Sequence, residues 1–305
     1  RPKFAARALA WGSVATFVGL VYLGDLPLGK RDAWRDIRGV TQLYPCDESP
    51  LHYPIRFARD IRVDTASERI FLAYGPSSGI MAFDLHTGCH VDEFEARGMI
   101  RSLWTDQSSP YLYGADDVSA DVYQLHKRPL RVAKEVDLFA HDGINDGLTL
   151  TVNADRDRLY VTHYARAAIS ELVLSSLAYT RTIDLVQAGY TDIPASVTAM
   201  TLGETSDLAY VILGPVDVAR NFRALKLDLT TFEVLADGLV PGGTNYIYYS
   251  EANHSLWVAD GAYASVLEID AETLTLKATH AGPRFSMAFS PIGAHGTLAF
   301  GGPVD

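Results

Sequence analysis

Beyond about residue 50 the chain alternates short apolar runs with polar turns, and no helical periodicity interrupts them. Six runs repeat: IFLAY at 70–74, YLYGA at 111–115, LYVTH at 159–163, LAYVI at 208–212, LWVAD at 256–260 and TLAFG at 297–301. Each follows another apolar run (DIRVD, SLWTD, LTLTV, AMTLG, YIYYS, MAFSP), and most precede a third (GIMAFDL, ADVYQL, AISELVL, FRALKLDL, SVLEIDA). Turns such as TASER, NADRD, GETSD and SEANH separate them. Strand–turn–strand punctuation repeating every roughly 40–50 residues is the period of propeller blades. The pattern predicts an all-β, six-bladed β-propeller. Its last blade is short, so strands from the N-terminal side must close the ring, and IRGVTQLY at 37–44 is the natural candidate.

The first residues read differently. FAARALAWGSVATFVGLVYL at 4–23 carries one charge, Arg7, and then about sixteen residues without any, close to the length of a spanning helix. Arg1, Lys3 and Arg7 precede the run, while Asp25, Lys30, Arg31 and Asp32 nearly balance after it. The positive-inside rule then puts the propeller on the luminal, periplasmic or extracellular side. A cleaved signal peptide and an organellar transit peptide are the alternatives to a retained transmembrane or signal anchor. The expected organisation is an anchor over 1–24, a linker over 25–36 and the propeller over 37–305.

Composition adds exclusions. The 305 residues are 48% hydrophobic and 21% charged, an ordinary globular balance. A formal net charge of −11 and a pI near 5.2 argue against nucleic acid as the main partner. Two cysteines, Cys46 and Cys89, are too few for a disulfide scaffold; they form one bridge in an exported chain or remain two thiols.

LYVTHYARAAISELVLSSLAYTRTIDL at 159–185 resembles a YVTN-type strand trio, which implies a fold and no function. Across residues 1–260 the order is anchor, linker, Cys46, a D-I-x-V strand start at Asp60–Val63, and I-N-D before blade three. This resembles the paraoxonase-type arylesterases, relatives of the SMP-30/gluconolactonase propellers. The resemblance implies six blades, an uncleaved anchor, calcium in the central tunnel, and hydrolysis of lactones and esters. It carries over residue by residue only in part. Asp60 matches an acidic metal position, but Arg59 stands where the preceding acid would. Asn145 matches the asparagine of the family's L-N-D, with Asp146 beside it. Asn245 matches the asparagine of a D-N pair whose acid is Thr244 here. The blade-four asparagine falls near Val197 or Thr198, and the catalytic histidine near Met99 or Ile100.

Calcium takes six to eight oxygens, carboxylates among them. Asp60, Asn145, Asp146 and Asn245 supply four at most, and Arg59, Arg101 and Arg284 at corresponding strand starts oppose a cation. Two chemistries stay open for a small apolar organic substrate at the tunnel mouth. With calcium at Asp60, Asn145 and Asn245, the metal polarises a lactone or ester carbonyl. Without it, Asn145, Asp146, Asn245 and Arg101 act by orientation and hydrogen bonding, as in cyclisation or cycloaddition of a natural-product intermediate. Arg59, Thr244, Tyr246, Arg284 and Phe285 would line the substrate pocket in either case. The rival is non-catalytic: a membrane-anchored accessory or scaffold subunit of a larger complex.

Other motifs read as structure. Gly75-Pro76-Ser77-Ser78-Gly79 fits G-x-S-x-G but joins two strands, where a nucleophile elbow needs a strand-to-helix turn. His86, Cys89 and His90 match no standard zinc spacing. Asn153, Asp155 and Asp157 lack the glycine and distal glutamate of a calcium loop. His163, within a strand, reads as a satisfied blade histidine.

Overall fold

The structure is a computed structural model that describes residues 19–21, 58–74, 79–87, 89–143, 147, 149–164, 166–185, 196–214, 222–241, 244–260, 265–281, 285–291 and 297–303. The first strand, β1, is Gly19–Val21. Blade one comprises β2 (Ala58–Asp64), β3 (Arg69–Tyr74), β4 (Gly79–Asp84) and β5 (His90–Glu95). Blade two comprises β6 (Ile100–Thr105), β7 (Tyr111–Asp116), β8 (Asp121–Lys127) and β9 (Leu130–Asp137), followed by the one-turn helix α1 (Phe139–Asp142). Blade three is β10 (Thr149–Asn153), β11 (Arg158–Thr162), β12 (Ala168–Val173) and β13 (Tyr179–Asp184). Blade four is β14 (Ser196–Leu202), β15 (Leu208–Gly214), β16 (Phe222–Asp228) and β17 (Val234–Val240). Blade five is β18 (Thr244–Ser250), β19 (Ser255–Asp260), β20 (Ser265–Asp270) and β21 (Leu276–Ala281). Two strands follow, β22 (Phe285–Pro291) and β23 (Thr297–Pro303).

Each of the five blades is a four-stranded antiparallel meander in chain order. Their first strands are neighbours in sequence around the ring, β2 beside β6, β6 beside β10, β10 beside β14 and β14 beside β18. The fold is an all-β propeller, as the repeat predicts. A three-stranded sheet, β1–β23–β22, completes the arrangement, and its β22 packs against both β18 and β2. The strand that pairs with β23 is Gly19–Val21. Those three residues fall inside the apolar segment expected as an anchor, so a helix running to residue 23 and this pairing are alternatives for the same residues. The rest of that segment, the linker and the 37–44 closing strand lie outside the described residues. Among the described residues no helix is long and apolar enough to cross a membrane.

Burial explains the sequence pattern. Strands in the middle of a blade are covered on both faces by neighbouring blades, so they read as continuous apolar runs. In β4, Ile80, Met81, Ala82 and Phe83 are all buried. Outermost strands meet solvent on one face and alternate, as β5 and β17 do. Each interface has its own core. Phe71, Ala82, Leu103 and Leu125 meet between blades one and two; Leu150, Leu159, Tyr113 and Val122 between two and three. Val197, Val211, Ile169 and Leu225 fill the next gap, and Tyr210, Ile212, Leu256 and Val258 the one after. Each such side chain contributes about 1.5–3 kcal/mol through burial.

The polar punctuation has a common mechanism. Asp64, Asp84, Asp116, Asp228 and Asp270 each accept hydrogen bonds from the backbone N–H groups two and three residues on. The carboxylate thereby closes the turn without a ladder partner. Turns between the third and fourth strands place bulky residues at positive φ: Leu177 at 56°, Phe232 at 61° and Leu274 at 55°. Leu177 and Leu274 are held there by burial in the interface cores.

A buried ion pair ties the lower edges of blades one and two. Lys127 Nζ lies 2.5 Å from Asp64 Oδ2 and donates to the Asp106 carbonyl at 2.6 Å, with the two side chains 5% and 0% exposed. Removing one partner of such a pair strands a buried charge. Lys127→Met is expected to cost about 3–5 kcal/mol, read as a lower urea midpoint. Arg97→Met, which loses a pair whose arginine is 72% exposed, is expected to cost under about 1 kcal/mol. Equal losses from the two would refute this account.

Candidate functional site

The first strands of four blades share one irregularity. The pairing of β2 with β3 skips Arg59, that of β6 with β7 skips Arg101, that of β14 with β15 skips Thr198, and that of β18 with β19 skips Asn245. A bulge re-aims the skipped residue and bends the strand start. Arg59 and Arg101, expected at corresponding strand starts, therefore occupy one structural station, and Asn245 shares its register position in blade five. Thr198, one of the two blade-four positions matched to the family asparagine, joins them. Asn145, Asp146 and Arg284 lie outside the described residues. Thr244, Asn245 and Phe285 are placed by their backbone in β18 and β22.

Asp60, the residue after the first bulge, is 2% exposed and fully engaged. Its Oδ1 accepts from the Ile61 N–H at 2.8 Å. Its Oδ2 accepts from the Leu103 N–H at 2.7 Å and from Arg62 Nη2 at 3.0 Å. Arg62 Nε in turn donates to the Leu103 carbonyl at 2.6 Å. Asp60 and Arg62, two apart on one strand face, thus grip both polar groups of one residue on the next blade's innermost strand. The same brace recurs in simpler form. Ser102 Oγ accepts from the Leu150 N–H at 3.0 Å, joining blades two and three. Thr151 Oγ1 donates to the Met200 carbonyl at 2.9 Å, joining three and four.

The basic residues differ in their freedom. Arg101 pairs with Asp117 at 3.0 Å. Arg59 has a buried Nε with no hydrogen-bond partner. Tyr246 stands beside this group, and its hydroxyl donates to the Arg59 carbonyl from blade five. Burial and the nearby Asp60 carboxylate hold that hydroxyl well above the ordinary tyrosine range, so it is a neutral donor.

Among the described residues no group of three or more His, Cys, Asp or Glu side chains is arranged to hold a metal ion. Cys89 is disulfide-bonded, which removes it from the His86–His90 cluster. Asn153 donates to the Ser206 carbonyl at 2.5 Å, and Asp157 accepts from the N–H and hydroxyl of Ser175, so the NADRD segment is a blade turn. His163 is fully buried, with Nε2 2.7 Å from Ser170 Oγ; the pair resembles a catalytic dyad but is sealed within blade three. Residues 75–78 of the G-x-S-x-G motif lie outside the described residues. Arg62 was not singled out by sequence, although period-two alternation places it on the face of Asp60.

No protein-family model and no curated protein matches the chain. Among solved structures it is similar to a chain of hydrazine synthase from Kuenenia stuttgartiensis, with a TM-score of 0.58 and 12% identity over 86% of this chain and 100% of that one. At that identity the likeness shows the propeller fold alone.

Burial raises the Asp60 carboxyl above its ordinary 3.8, against the opposing pull of Arg62, the Leu103 and Ile61 N–H groups and Ser102. A raised acid contributes stability that is complete below pH 3.8 and is lost as pH climbs through the folded-state value. Asp60→Asn removes that slope. The stability of the parent minus that of Asp60→Asn, from urea unfolding, is expected to fall as pH rises from below 3.8 toward neutrality. A constant difference, or a rising one, would contradict it.

Proposed function

We propose that this propeller is a binding and docking module rather than a hydrolase: a non-catalytic accessory or scaffold subunit on the luminal, periplasmic or extracellular side of a membrane. The observation that carries the reading is the bonding of Asp60. In the resemblance to paraoxonase-type enzymes this carboxylate is a calcium ligand, yet both its oxygens are engaged, Oδ1 by the Ile61 N–H of its own strand and Oδ2 by Arg62 and the inter-blade bond to Leu103. A cation there would sit against the Arg62 guanidinium in a low-dielectric setting, where like charges repel strongly. The same reading takes β1–β23–β22 as a sixth blade, since β22 bridges β18 and β2.

Two further features fit. Leu235 and Leu239 are 53% and 60% exposed on the outer edge strand of blade four, an unusual place for two large aliphatic side chains. The disulfide at Cys89 suits an oxidising compartment.

A second reading has its own observation. The buried, unpartnered Arg59 Nε beside Tyr246 favours a metal-free pocket for a carbonyl-bearing or anionic small molecule at the bulge station. Cyclisation by orientation and hydrogen bonding belongs to this reading, in which Asn145, Asp146 and Asn245 keep the hydrogen-bonding role their sequence positions suggest.

The purified chain is expected to show no calcium-dependent rise in Tm and no chelator-sensitive turnover across a panel of lactones and aryl esters. Its docking partner, captured by cross-linking in native membranes, is expected to be lost from a Leu235→Lys/Leu239→Lys variant that keeps the parent Tm. Hydrolysis abolished by chelator and reduced at least about 100-fold by Asn145→Ala would replace the docking module with the calcium hydrolase. Turnover indifferent to chelator but lost in Arg59→Gln would establish the metal-free pocket instead.

A further inference from the structure

The cleft between blades three and four gathers charge in a way no fold requirement explains. It is a cavity of about 330 Å³ whose wall includes Arg156, Arg158, Arg181 and Glu171. Three cations line that wall against one carboxylate, and a second, Asp207, pairs with Arg156, so a positive excess remains in a chain whose net charge is −11. The register creates the cluster. Tyr160, Glu171 and Arg181 are paired across β11, β12 and β13, so they form one row on the face turned toward blade four. Glu171, whose side chain is 5% exposed, anchors Arg158 Nε at 2.8 Å and Arg181 Nε at 3.0 Å. Arg158 Nη1 is held by the carbonyls of Arg156 and Asp157. The Arg181 guanidinium lies 4.1 Å over the Phe232 ring, which fixes its plane. Arg156 reaches the site from its turn by an Nη2 bond to Thr230 Oγ1 and a pair with Asp207.

These contacts orient the arginines without using all their donors. Both Nη groups of Arg181, Nη2 of Arg158 and Nη1 of Arg156 have no partner among the described residues. Pre-fixed forks with spare N–H groups along the blade-three wall of a cavity match an anion with several terminal oxygens. A positive excess on the wall favours an anion, and a multiply charged one most. The volume exceeds that of an inorganic ion and falls in the range of small-molecule sites. Tyr160 and Leu229 add an apolar side to it.

We infer that this cleft binds a phosphate-type dianion, either free phosphate or the phosphomonoester of a small metabolite, between the arginines of blade three and the turn of blade four. The site is separate from the bulge station at the inner strands, and it stands whether or not the docking reading holds.

Isothermal titration of the full chain with inorganic phosphate, with glycerol 3-phosphate and with acetate tests it. The expected result is saturable binding of phosphate and glycerol 3-phosphate at millimolar concentration or below, weakened by salt. Acetate is expected to bind at least about tenfold more weakly. Arg181→Gln and Arg156→Gln are each expected to weaken phosphate binding about tenfold with little change in Tm. Arg223→Gln, which loses a partly exposed pair with Asp237 elsewhere on blade four, is expected to change nothing. Tighter binding of the ester than of phosphate assigns the metabolite form, and equal or weaker binding assigns free phosphate. Absence of saturable binding, acetate binding as tightly as phosphate, or equal effects from Arg223→Gln and Arg181→Gln would overturn the assignment.

Discussion

A propeller's ladders run only within blades, so the first strand of every blade is a sheet edge facing the axis. Its inward N–H and C=O groups need partners that its own blade cannot give. The brace from Asp60 and Arg62 to the N–H and carbonyl of Leu103 answers this need with two side chains of one strand. Ser102 and Thr151 answer it with single hydroxyls at the next two interfaces. The same bonds that satisfy an edge also fasten one blade to the next. Ring geometry in this chain therefore depends on which side chains stand at two positions of each inner strand.

That dependence constrains function. The inner strand starts are where propellers of the resembling family hold their metal, and a residue committed to the brace is not available to a ligand. Asp60 is committed twice over, by two amide donors and by a guanidinium. Arg101 is committed to Asp117. What remains unpartnered among the described side chains of the station is the Arg59 Nε, a donor suited to an oxygen and unsuited to a cation.

Much of the fold was legible because blade burial leaves a strong pattern. Runs such as GIMAFDL are continuous where both faces are covered, and Asp-headed turns such as DLTT repeat because each carboxylate closes its own turn. The sequence sets Arg59, Arg101 and Arg284 at corresponding strand starts; the bulges give Arg59 and Arg101 one register position, and Arg284 lies outside the described residues. What Asp60 does was not legible. An acidic residue at a strand start reads the same whether it binds calcium or a neighbouring backbone, and Leu103 lies 43 positions away. The clue was Arg62, two residues on, which shares its face. The strand β1 was hidden for a different reason: an apolar segment with no alternation carries no period to separate sheet from helix.

The arginine groups at the two places share a residue type and differ in unspent hydrogen-bonding capacity. At the inner strands Arg62 spends Nε and Nη2 on Leu103 and Asp60, and its role ends in the brace. Between blades three and four, Glu171 takes only the Nε atoms of Arg158 and Arg181, leaving Nη2 of Arg158 and both Nη groups of Arg181 without a partner among the described residues. A carboxylate placed to bind the inner edge holds a guanidinium still while keeping its fork open. A carboxylate on the outer edge would close it. The position of one acid relative to two arginines is thus enough to separate a structural clamp from a recognition surface. Long-range repulsion from −11 is screened beyond about 8 Å at physiological ionic strength, so the local positive excess governs what approaches the cleft.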